Sequence, residues 1–276
     1  ASAFMVPEAT MAQRISRAKR TIRTSDVPLG LPYGEEALER SMRSVLRVLY
    51  LIFNEGYTSS SGALLQRVEL SGEAIRLARM VHRARPNDAE AAGLLALMLL
   101  TDARRPARTT GDGAIVPLAE QDRSRWDQGE ITEGLIVIAD ALARGSIGEY
   151  QLQAAIAAVH DQAKCVEDTD WPRILALYGL LATMTENPLV TLNRAIAHAM
   201  VHGPTAGLAL LETLDGTLVG HYRLDAVRAH LVELTGDTAA AEALYRSAAA
   251  GTTSVPEQHY LTLKAARLRA TRSGVE

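Results

Sequence analysis

The sequence contains little of what β-sheet proteins and secreted proteins are built from. Only 4% of its 276 residues are aromatic, with two Phe and two Trp. Since aromatic residues are enriched in strands, this composition excludes an all-β sandwich or barrel. The single cysteine, Cys165, has no partner for an internal disulfide, so we expect a reducing, cytoplasmic environment. No apolar stretch of 18 residues is free of charge, which excludes a membrane-spanning helix.

Helix-forming residues are abundant instead. The chain holds 45 alanines and 37 leucines, and 47% of all residues are apolar. Alanine and leucine rank at the top of the helix-propensity scale. A chain of this length can also bury a substantial core in one or two domains. The composition therefore predicts an all-α protein.

Apolar residues recur at helical spacing along nearly the whole chain. Between residues 34 and 53 an i, i+3/i+4 stripe predicts the first helix of the body. Further helices are predicted at 69–84, 88–104, 128–144, 150–164, 171–184, 188–202, 205–214, 222–235, 238–250 and 256–271. One short β-hairpin is predicted near 108–118, around a Gly-Asp-Gly turn. The proline-containing segment 25–33 resists helix formation and is predicted to be a linker.

The C-terminal third contains an internal repeat. At an offset of 34 residues the sequence pairs Ala195 with Ala229, Gly207 with Ala241, Leu211 with Tyr245, and Leu214 with Ala248. Small residues at fixed points let two helices approach closely, and large residues fill the space beside them. This is the pattern of tetratricopeptide hairpins. We therefore predict antiparallel, tetratricopeptide-like helical hairpins over 146–276, with Ala229 and Ala241 buried where helices cross.

Charge is distributed unevenly along the chain. Residues 1–23 carry five Lys or Arg and one acid, a net charge of +4, whereas the remaining residues carry −7. Pro7 suits the first turn of a helix. Beyond it, one apolar stripe is formed by Met11, Ile15, Ala18 and Ile22. A short basic helix on an acidic body favours a nucleic-acid contact confined to the N-terminal segment.

Five side chains of this basic helix are candidates for DNA contact: Gln13, Arg14, Arg17, Lys19 and Arg20. Amide and guanidinium groups near a helix start can make bidentate hydrogen bonds to base edges in the major groove. We expect Gln13, Arg14 and Arg17 to contact bases or phosphates, and the last two residues to contact phosphates. The alternative is a solvated basic helix that packs on its own domain.

The order of residues in this segment resembles the end of the region-four helix-turn-helix of bacterial RNA polymerase sigma factors of the extracytoplasmic-function type. In that family a Pro-Glu turn precedes a recognition helix that ends in a Ser-Arg-Ala-Arg/Lys-Arg run. The matching residues are Val6-Pro7-Glu8 and Ser16-Arg17-Ala18-Lys19-Arg20. The resemblance implies that residues 1–24 end a region-four helix-turn-helix, and that its recognition helix reads the upstream (minus-35) promoter element.

Three blocks further along resemble the signatures of a subgroup of these sigma factors that carries a long tetratricopeptide-like C-terminal extension. They are Leu46–Tyr57, Asp102–Arg108 and Gln121–Asp127. The family's region-two domain, which binds core RNA polymerase and melts the promoter, is missing, as is most of the region-four scaffold helix. Because the chain begins Ala1-Ser2-Ala3 without an initiator methionine, we expect it to be cut from a longer protein. The resemblance implies three kinds of partner for the full-length protein: promoter DNA, core RNA polymerase, and a regulatory protein or small-molecule signal acting on the extension.

The central blocks are also dense in polar residues at predicted helix ends and in loops, where function is often located. These residues are Asn54, Glu55, Tyr57, Asp102, Arg104, Arg105, Arg108, Gln121, Asp122, Arg123 and Asp127. Three interpretations stay open at this point. They form a structural network of arginine–carboxylate pairs, a ligand or partner site, or a catalytic site.

Other candidates are weaker. His198 and His202 are spaced i, i+4, but no cysteine or carboxylate at ligand spacing accompanies them, so no metal is expected. The segment 59–62, Ser-Ser-Ser-Gly, lacks the context of a nucleophile or phosphate loop and is predicted to be a solvated loop. His160 and Asp161 are sequence neighbours and do not face each other on a helix. Cys165 has no catalytic histidine context and is expected to be inert.

The sequence thus predicts four segments: the end of a helix-turn-helix at 1–24, a linker at 25–33, a helical extension domain at 34–145, and repeats at 146–276. The first functional hypothesis is a sigma factor fragment for transcription initiation, with no enzyme activity and no cofactor. The second is a tetratricopeptide interaction or ligand-sensing scaffold without a DNA role. The third is a small-molecule enzyme centred on Asn54, Asp102 and Asp122.

Overall fold

A computed structural model describes residues 8–24 and 34–274 of the chain. The described residues form twelve α-helices and no strand, which confirms the prediction of an all-α fold. The helices are α1 (Glu8–Thr24), α2 (Glu35–Tyr57), α3 (Val68–Ala84), α4 (Ala89–Asp102), α5 (Gln128–Ala143), α6 (Glu149–Gln162), α7 (Trp171–Met184), α8 (Pro188–His202), α9 (Pro204–Glu212), α10 (Tyr222–Thr235), α11 (Thr238–Gly251) and α12 (Val255–Arg272). None of these helices combines the length and the apolar character needed to cross a bilayer. The predicted linker at 25–33 and the Val6-Pro7 part of the predicted turn lie outside the described residues.

Local residues set most of the helix ends. Five N-caps accept a backbone N–H through their side chain: Asp88, Asp127, Asp170, Asn187 and Asp237. Proline occupies the first turn of α7, α8, α9 and α12, where its missing N–H leaves no donor unpaired. Gly203 and Gly236 stop α8 and α10 with φ near 90°, a conformation that favours glycine. Because these signals are local, most predicted helices agree with the structure to within two residues.

The C-terminal end of α2 is an exception. The helix was predicted to end at residue 53, but it continues through Gly56 to Tyr57. Gly56 is buried, and a Cβ atom there would lie 2.3 Å from the backbone nitrogen of Ser71 on α3. Glycine is therefore needed for close approach of the two helices and does not stop α2. As a result, Asn54 and Glu55 lie inside the helix.

The predicted β-hairpin near 108–118 is reduced to one antiparallel bridge between Thr109 and Ile115. The Thr110 backbone N–H donates to the Ala114 carbonyl at 2.9 Å and closes the turn. Pro106 and Pro117 flank the bridge and have no N–H to donate, so a backbone ladder cannot extend past them. Short 3₁₀ turns occupy the two sides instead.

Helices that follow one another pack as neighbours from α2 to α12, and α4 also packs against α6. α4 is buried along almost its whole length. A Cβ atom at Gly93 would lie 2.7 Å from the backbone nitrogen of Gln151, so α4 and α6 are in close contact. This contact crosses the predicted boundary between 34–145 and 146–276.

The repeat positions predicted to pack are buried. Ala195, Ala229 and Ala241 are 0% exposed, and Tyr245 is 2% exposed. A Cβ atom at Gly207 would lie 2.7 Å from the Ala195 carbonyl oxygen. The predicted burial of Ala229 and Ala241 is therefore confirmed.

Helices α2 to α12 form a helical array, and the loop after its first helix contacts the segment at the start of its last helix. In a parallel bridge, the Gly62 N–H donates to the Thr253 carbonyl at 3.3 Å, and the Val255 N–H donates to the Gly62 carbonyl at 3.1 Å. The Thr253 hydroxyl donates to the Ser60 carbonyl at 2.9 Å. Ser59 is 1% exposed, so the prediction of a solvated loop at 59–62 is wrong for this residue. The loop after α2 docks on the segment that begins α12, and the helical array closes on itself.

Candidate functional site

α1 presents the predicted DNA-contacting side chains outward. All five are exposed: Gln13, Arg14, Arg17, Lys19 and Arg20. The apolar stripe of the same helix is also uncovered, since Ile15 is 48% and Ile22 is 57% exposed. The hydroxyls of Thr21 and Thr24 donate to carbonyls of their own helix, at 3.1 and 3.0 Å. α1 thus has both a basic and an apolar surface exposed.

The central polar residues divide into three sets of contacts, the first at the C-terminal end of α2. Arg108 donates to the Tyr57 carbonyl, and to the Thr58 hydroxyl at 2.9 Å. Its guanidinium carbon lies 3.6 Å from the centre of the Tyr57 ring. A cation is favourable at the last carbonyls of a helix and over an aromatic face. Burial lowers the pKa of Arg108 and raises the pKa of Tyr57.

The second set is a buried ion pair between α6 and the segment after α4. The Nε of Arg104 donates to Asp161 Oδ1 at 2.6 Å, and its Nη2 donates to the Ala157 carbonyl at 2.9 Å. The Asp161 side chain is 0% exposed. Burial raises the pKa of Asp161 to about 6, although the charge of Arg104 opposes the rise. Such a pair is costly to break on one side because the remaining charge stays buried.

Arg123 extends this second set. One of its guanidinium nitrogens donates to the carbonyls of His160 and Ala163, at 2.6 and 2.7 Å, at the C-terminal end of α6. The guanidinium groups of Arg104 and Arg123 both lie over the ring of Trp126, at 5.5 and 4.7 Å. Burial, with the two arginine charges, lowers the pKa of His160 to about 3, so this imidazole is neutral. Arg123 therefore satisfies backbone carbonyls at the end of α6, and both arginines stack on the buried ring of Trp126.

The third set is acidic. Asp102 is 2% exposed and pairs with Arg105 at 3.0 Å. Burial, with the charges of Asp102 and Asp127, raises the pKa of Glu130 to about 7. Among the described residues, Oδ1 of Asp102 and Oε2 of Glu130 are buried without a hydrogen-bond partner. Burial also raises the pKa of Asp102, although the charge of Arg105 opposes the rise. No group of three or more His, Cys, Asp or Glu in that part of the chain could hold a metal ion.

The remaining predicted residues have separate roles. Glu55 accepts from the Ser59 hydroxyl and the Ser60 N–H, both at 3.3 Å, and so holds the loop that closes the array. Burial raises the pKa of Tyr50, and the side chain of Asn54 opposes the rise. Asp122 is exposed and accepts from the N–H and hydroxyl of Ser124, at 3.0 and 2.6 Å. Asn54, Asp102 and Asp122 thus contact different residues, and the structure does not assemble them into one centre.

Gln121 and Asp127 complete the predicted cluster. The Gln121 side-chain amide donates to the Val116 carbonyl at 3.1 Å and steadies the loop after the bridge. Asp127 is exposed and caps α5 by accepting from the N–H groups of Gly129 and Glu130. Both residues support local backbone.

Sequence reasoning missed several residues that the fold brings to the site. Asp161, the partner of Arg104, lies 57 positions further along the chain. The sequence contained one signal for this pair: the acidic Asp161 follows the apolar stretch of α6. A charge beside a buried helix face needs a partner of opposite charge. Tyr50 on α2 was also missed; its hydroxyl donates to Gln153 Oε1 on α6 at 3.1 Å, and nothing in the local sequence indicates this contact.

The weaker candidates lie on α8, on α6 and in the segment after α6. The rings of His198 and His202 lie 4.6 Å apart, without a third ligand among the described residues. His160 packs edge-to-face on Trp171 at 5.3 Å, while its neighbour Asp161 pairs with Arg104. Cys165 is exposed and free.

Comparison with known proteins shows two similarities. Residues 41–142, which include most of α2 and all of α3 and α4, match a family of unknown function (DUF6596). The chain is also 39% identical over 270 residues to an uncharacterized protein of Rhizobium meliloti (strain 1021). That match covers 98% of this chain and 64% of the relative, so the chain spans less than two thirds of the relative's length. No solved structure matches the chain.

Proposed function

We propose that the protein is the C-terminal part of an extracytoplasmic-function-type sigma factor acting in the cytoplasm. In this proposal α1 is a promoter-recognition helix, and the helical array regulates when the factor works. The observation that carries the proposal is the exposure of all five polar candidates on α1, on a helix whose sequence resembles the end of region four. Amide and guanidinium side chains in this arrangement suit contacts to base edges and phosphates.

The uncovered apolar stripe of α1 supports the same proposal. A helix normally buries such a stripe against another element. In a helix-turn-helix, the scaffold helix packs on the apolar side of the recognition helix and leaves its polar side for the groove. Exposed Ile15 and Ile22 are the surface on which such a scaffold helix would pack.

The helical array supports a regulatory role. Buried small residues at the 34-residue offset are what tetratricopeptide-like hairpins require, and such arrays bind partners on extended surfaces. Core RNA polymerase, a regulatory protein or a small-molecule signal would be bound there. We propose no catalytic residue and no cofactor.

Promoter binding by the complete factor tests the role of α1. We expect Arg14→Ala and Arg17→Ala each to weaken binding to the cognate minus-35 element by about 1–3 kcal/mol and to relax specificity at one base position. Lys19→Ala should weaken binding about equally on all DNA sequences and reduce its salt dependence. The measurement is fluorescence anisotropy across a salt series, with cognate and scrambled promoters.

Arg246→Ala is the matched control, because this arginine is exposed on α11, away from the basic helix. It should leave binding unchanged. If Arg14→Ala and Arg17→Ala both bind like the wild type, α1 does not read the promoter and the assignment is wrong.

A second candidate function is an interaction or ligand-sensing scaffold without a DNA role. The observation that favours it is the closure of the array through residues 59–62 and 253–255. This closure brings polar side chains from distant helices near one another. If the complete protein initiates transcription from a cognate promoter, a scaffold without a DNA role is excluded as its whole function.

A further inference from the structure

The side of α7 that faces away from α6 and α8 is apolar and exposed. The helix packs against these two neighbours and buries Ile174 and Leu181. On its other side Leu180 is 54% exposed and Met184 is 43% exposed. Arg173 is the only charged residue in the helix, although a helix side in contact with water normally carries several polar or charged residues. The exposed side of α7 therefore has the composition of a surface that another element covers.

We define the outer face of α7 by its six exposed residues: Pro172, Arg173, Ala176, Leu180, Thr183 and Met184. Their spacing places them on one side of the helix. The Thr183 hydroxyl donates to the Leu180 carbonyl at 2.7 Å, so its polar group is satisfied within the helix. The outer face of α7 is thus apolar along its length, with one charge at its N-terminal end.

Gly179 lies beside this face in the middle of α7. Glycine inside a helix is less favourable than alanine. At Gly93, Gly134 and Gly207 close packing offsets this cost, since an added Cβ atom would lie 2.7 Å from an atom of another helix. An added Cβ atom at Gly179 would meet nothing within 4 Å. Gly179 thus permits a close approach that no described helix of the same chain makes.

The charges at the two ends of α7 suit a second copy of the same helix. Arg173 lies in the first turn and Glu186 follows the C-terminal end, and both are exposed. Neither forms an ion pair within the described part of the chain. Each charge also has the sign that the nearby end of the helix dipole disfavours. An antiparallel copy of α7 would bring a charge of opposite sign to each of them.

We propose that the outer face of α7 is the interface of a two-fold symmetric homodimer, in which α7 packs antiparallel against α7 of a second copy. Arg173 and Glu186 lie equally far along the chain from the midpoint between Gly179 and Leu180. A two-fold axis at this midpoint pairs each Arg173 with Glu186 of the partner subunit, and each Leu180 meets Gly179 of the partner subunit. The face is therefore complementary to itself, as a closed dimer requires. The inference does not depend on a DNA role for α1, and each can fail without the other.

Sedimentation equilibrium of the whole chain over a concentration series tests the dimer. A single helix pair is a small interface, so we expect a reversible dimer with a dissociation constant on the order of micromolar. Leu180→Arg should weaken dimerisation at least about tenfold, because it places a charge at the apolar centre of the interface. Leu234→Arg is the matched control, since Leu234 on α10 is 51% exposed and lies outside the outer face of α7. It should dimerise like the wild type, and circular dichroism checks that both variants are folded.

An exchange of charges tests the antiparallel arrangement. Arg173→Glu and Glu186→Arg should each weaken the dimer at low salt, because each places like charges opposite one another at both ends of the interface. The double variant should recover most of the loss, since it restores opposite charges across the two-fold axis. The outer face of α7 is not a dimer interface if the wild type stays monomeric up to about 1 mM, a thousand times the expected dissociation constant. The same conclusion follows if Leu180→Arg dimerises like the wild type, and a double variant as weak as the single ones overturns the antiparallel pairing.

Discussion

Burial decides the protonation of several side chains in this protein. It raises the pKa of Glu130 to about 7 and that of Asp161 to about 6, and it lowers the pKa of His160 to about 3. Each shift favours the neutral form of a group whose charge is poorly solvated. The pH dependence of stability therefore depends on a few identifiable residues.

Glu130→Gln should make the protein less sensitive to pH. The folded-state pKa of Glu130 lies above its ordinary value of 4.5, so its contribution to stability is complete below that value and is lost as pH rises through about 7. Glutamine stays neutral, so the variant should be more stable than the wild type at pH 8 by about 1–3 kcal/mol, with the difference vanishing below about pH 4. Urea unfolding of both proteins across this pH range measures the difference in their free energy of unfolding.

Glu133→Gln is the control on the same helix. Glu133 forms two hydrogen bonds to Arg79, at 3.0 and 2.7 Å, which lower its pKa. Removing its charge should reduce stability at neutral pH and give no gain at pH 8. Parallel pH profiles for Glu130→Gln and the wild type would show that folding does not raise the pKa of Glu130.

Arg104→Met should be strongly destabilising. It leaves the Asp161 carboxylate buried without its partner, at a cost of about 3–5 kcal/mol. Adding Asp161→Asn should recover part of this loss because it removes the uncompensated charge. Arg76→Met, which breaks an exposed pair with Glu73, should change stability by less than about 1 kcal/mol. Equal effects of the two arginine substitutions on the urea midpoint would contradict the assignment of a buried ion pair.

At the scale of helices, close approach depends on small residues at helix crossings. Gly56 lets α2 approach α3, and Gly93 lets α4 approach α6. In the repeats the same role belongs to Ala229 and Ala241, which are both fully buried. Substitution by a larger residue at such a site forces either the helices apart or the side chain out of its rotamer.

Ala241→Leu should therefore destabilise the protein by about 1–3 kcal/mol. Ala243→Leu provides the comparison on the same helix, since Ala243 is exposed and its substitution should be nearly neutral. Thermal unfolding of both variants measures the difference. An Ala241→Leu protein that melts like the wild type would count against tetratricopeptide-like packing of α10 and α11.

At the scale of the molecule, a +4 segment is joined to a body with a net charge of −7. The ten residues between Thr24 and Glu35 can span at most about 35 Å. At that range the effective concentration of the array against α1 is high, so even a weak contact between them can form. Under the proposed sigma-factor function, such a contact would mask α1 from promoter DNA, and the alternative is that the array docks on RNA polymerase.

Truncation of the complete factor after Arg23 distinguishes these two modes. In a reconstituted transcription assay, loss of the array should raise output if the array masks α1, and abolish output if the array docks on polymerase. Truncation without an effect in either direction would exclude regulation of initiation by this part of the chain. The intact factor on a promoter lacking its minus-35 element serves as the background.

Local sequence determined the helices, because caps, first-turn prolines and terminal glycines act within a few residues of each helix end. It also determined the buried repeat positions, since a period of 34 residues places small residues at recurring helix crossings. The end of α2 was placed too early because sequence does not distinguish a glycine that ends a helix from one, such as Gly56, that admits a neighbouring helix.

Only the tertiary structure decided which charges meet and how the array closes. Arg104 and Asp161 are 57 residues apart, and Ser60 and Thr253 are 193 apart. No periodic pattern links such positions, because their contact depends on the accumulated rotation of successive helices. The pKa of Glu130 was equally inaccessible to sequence, since it reflects the burial that this packing imposes. Helix identity is thus encoded locally, whereas the buried ion pair and the raised pKa of Glu130 arise from packing over the whole chain.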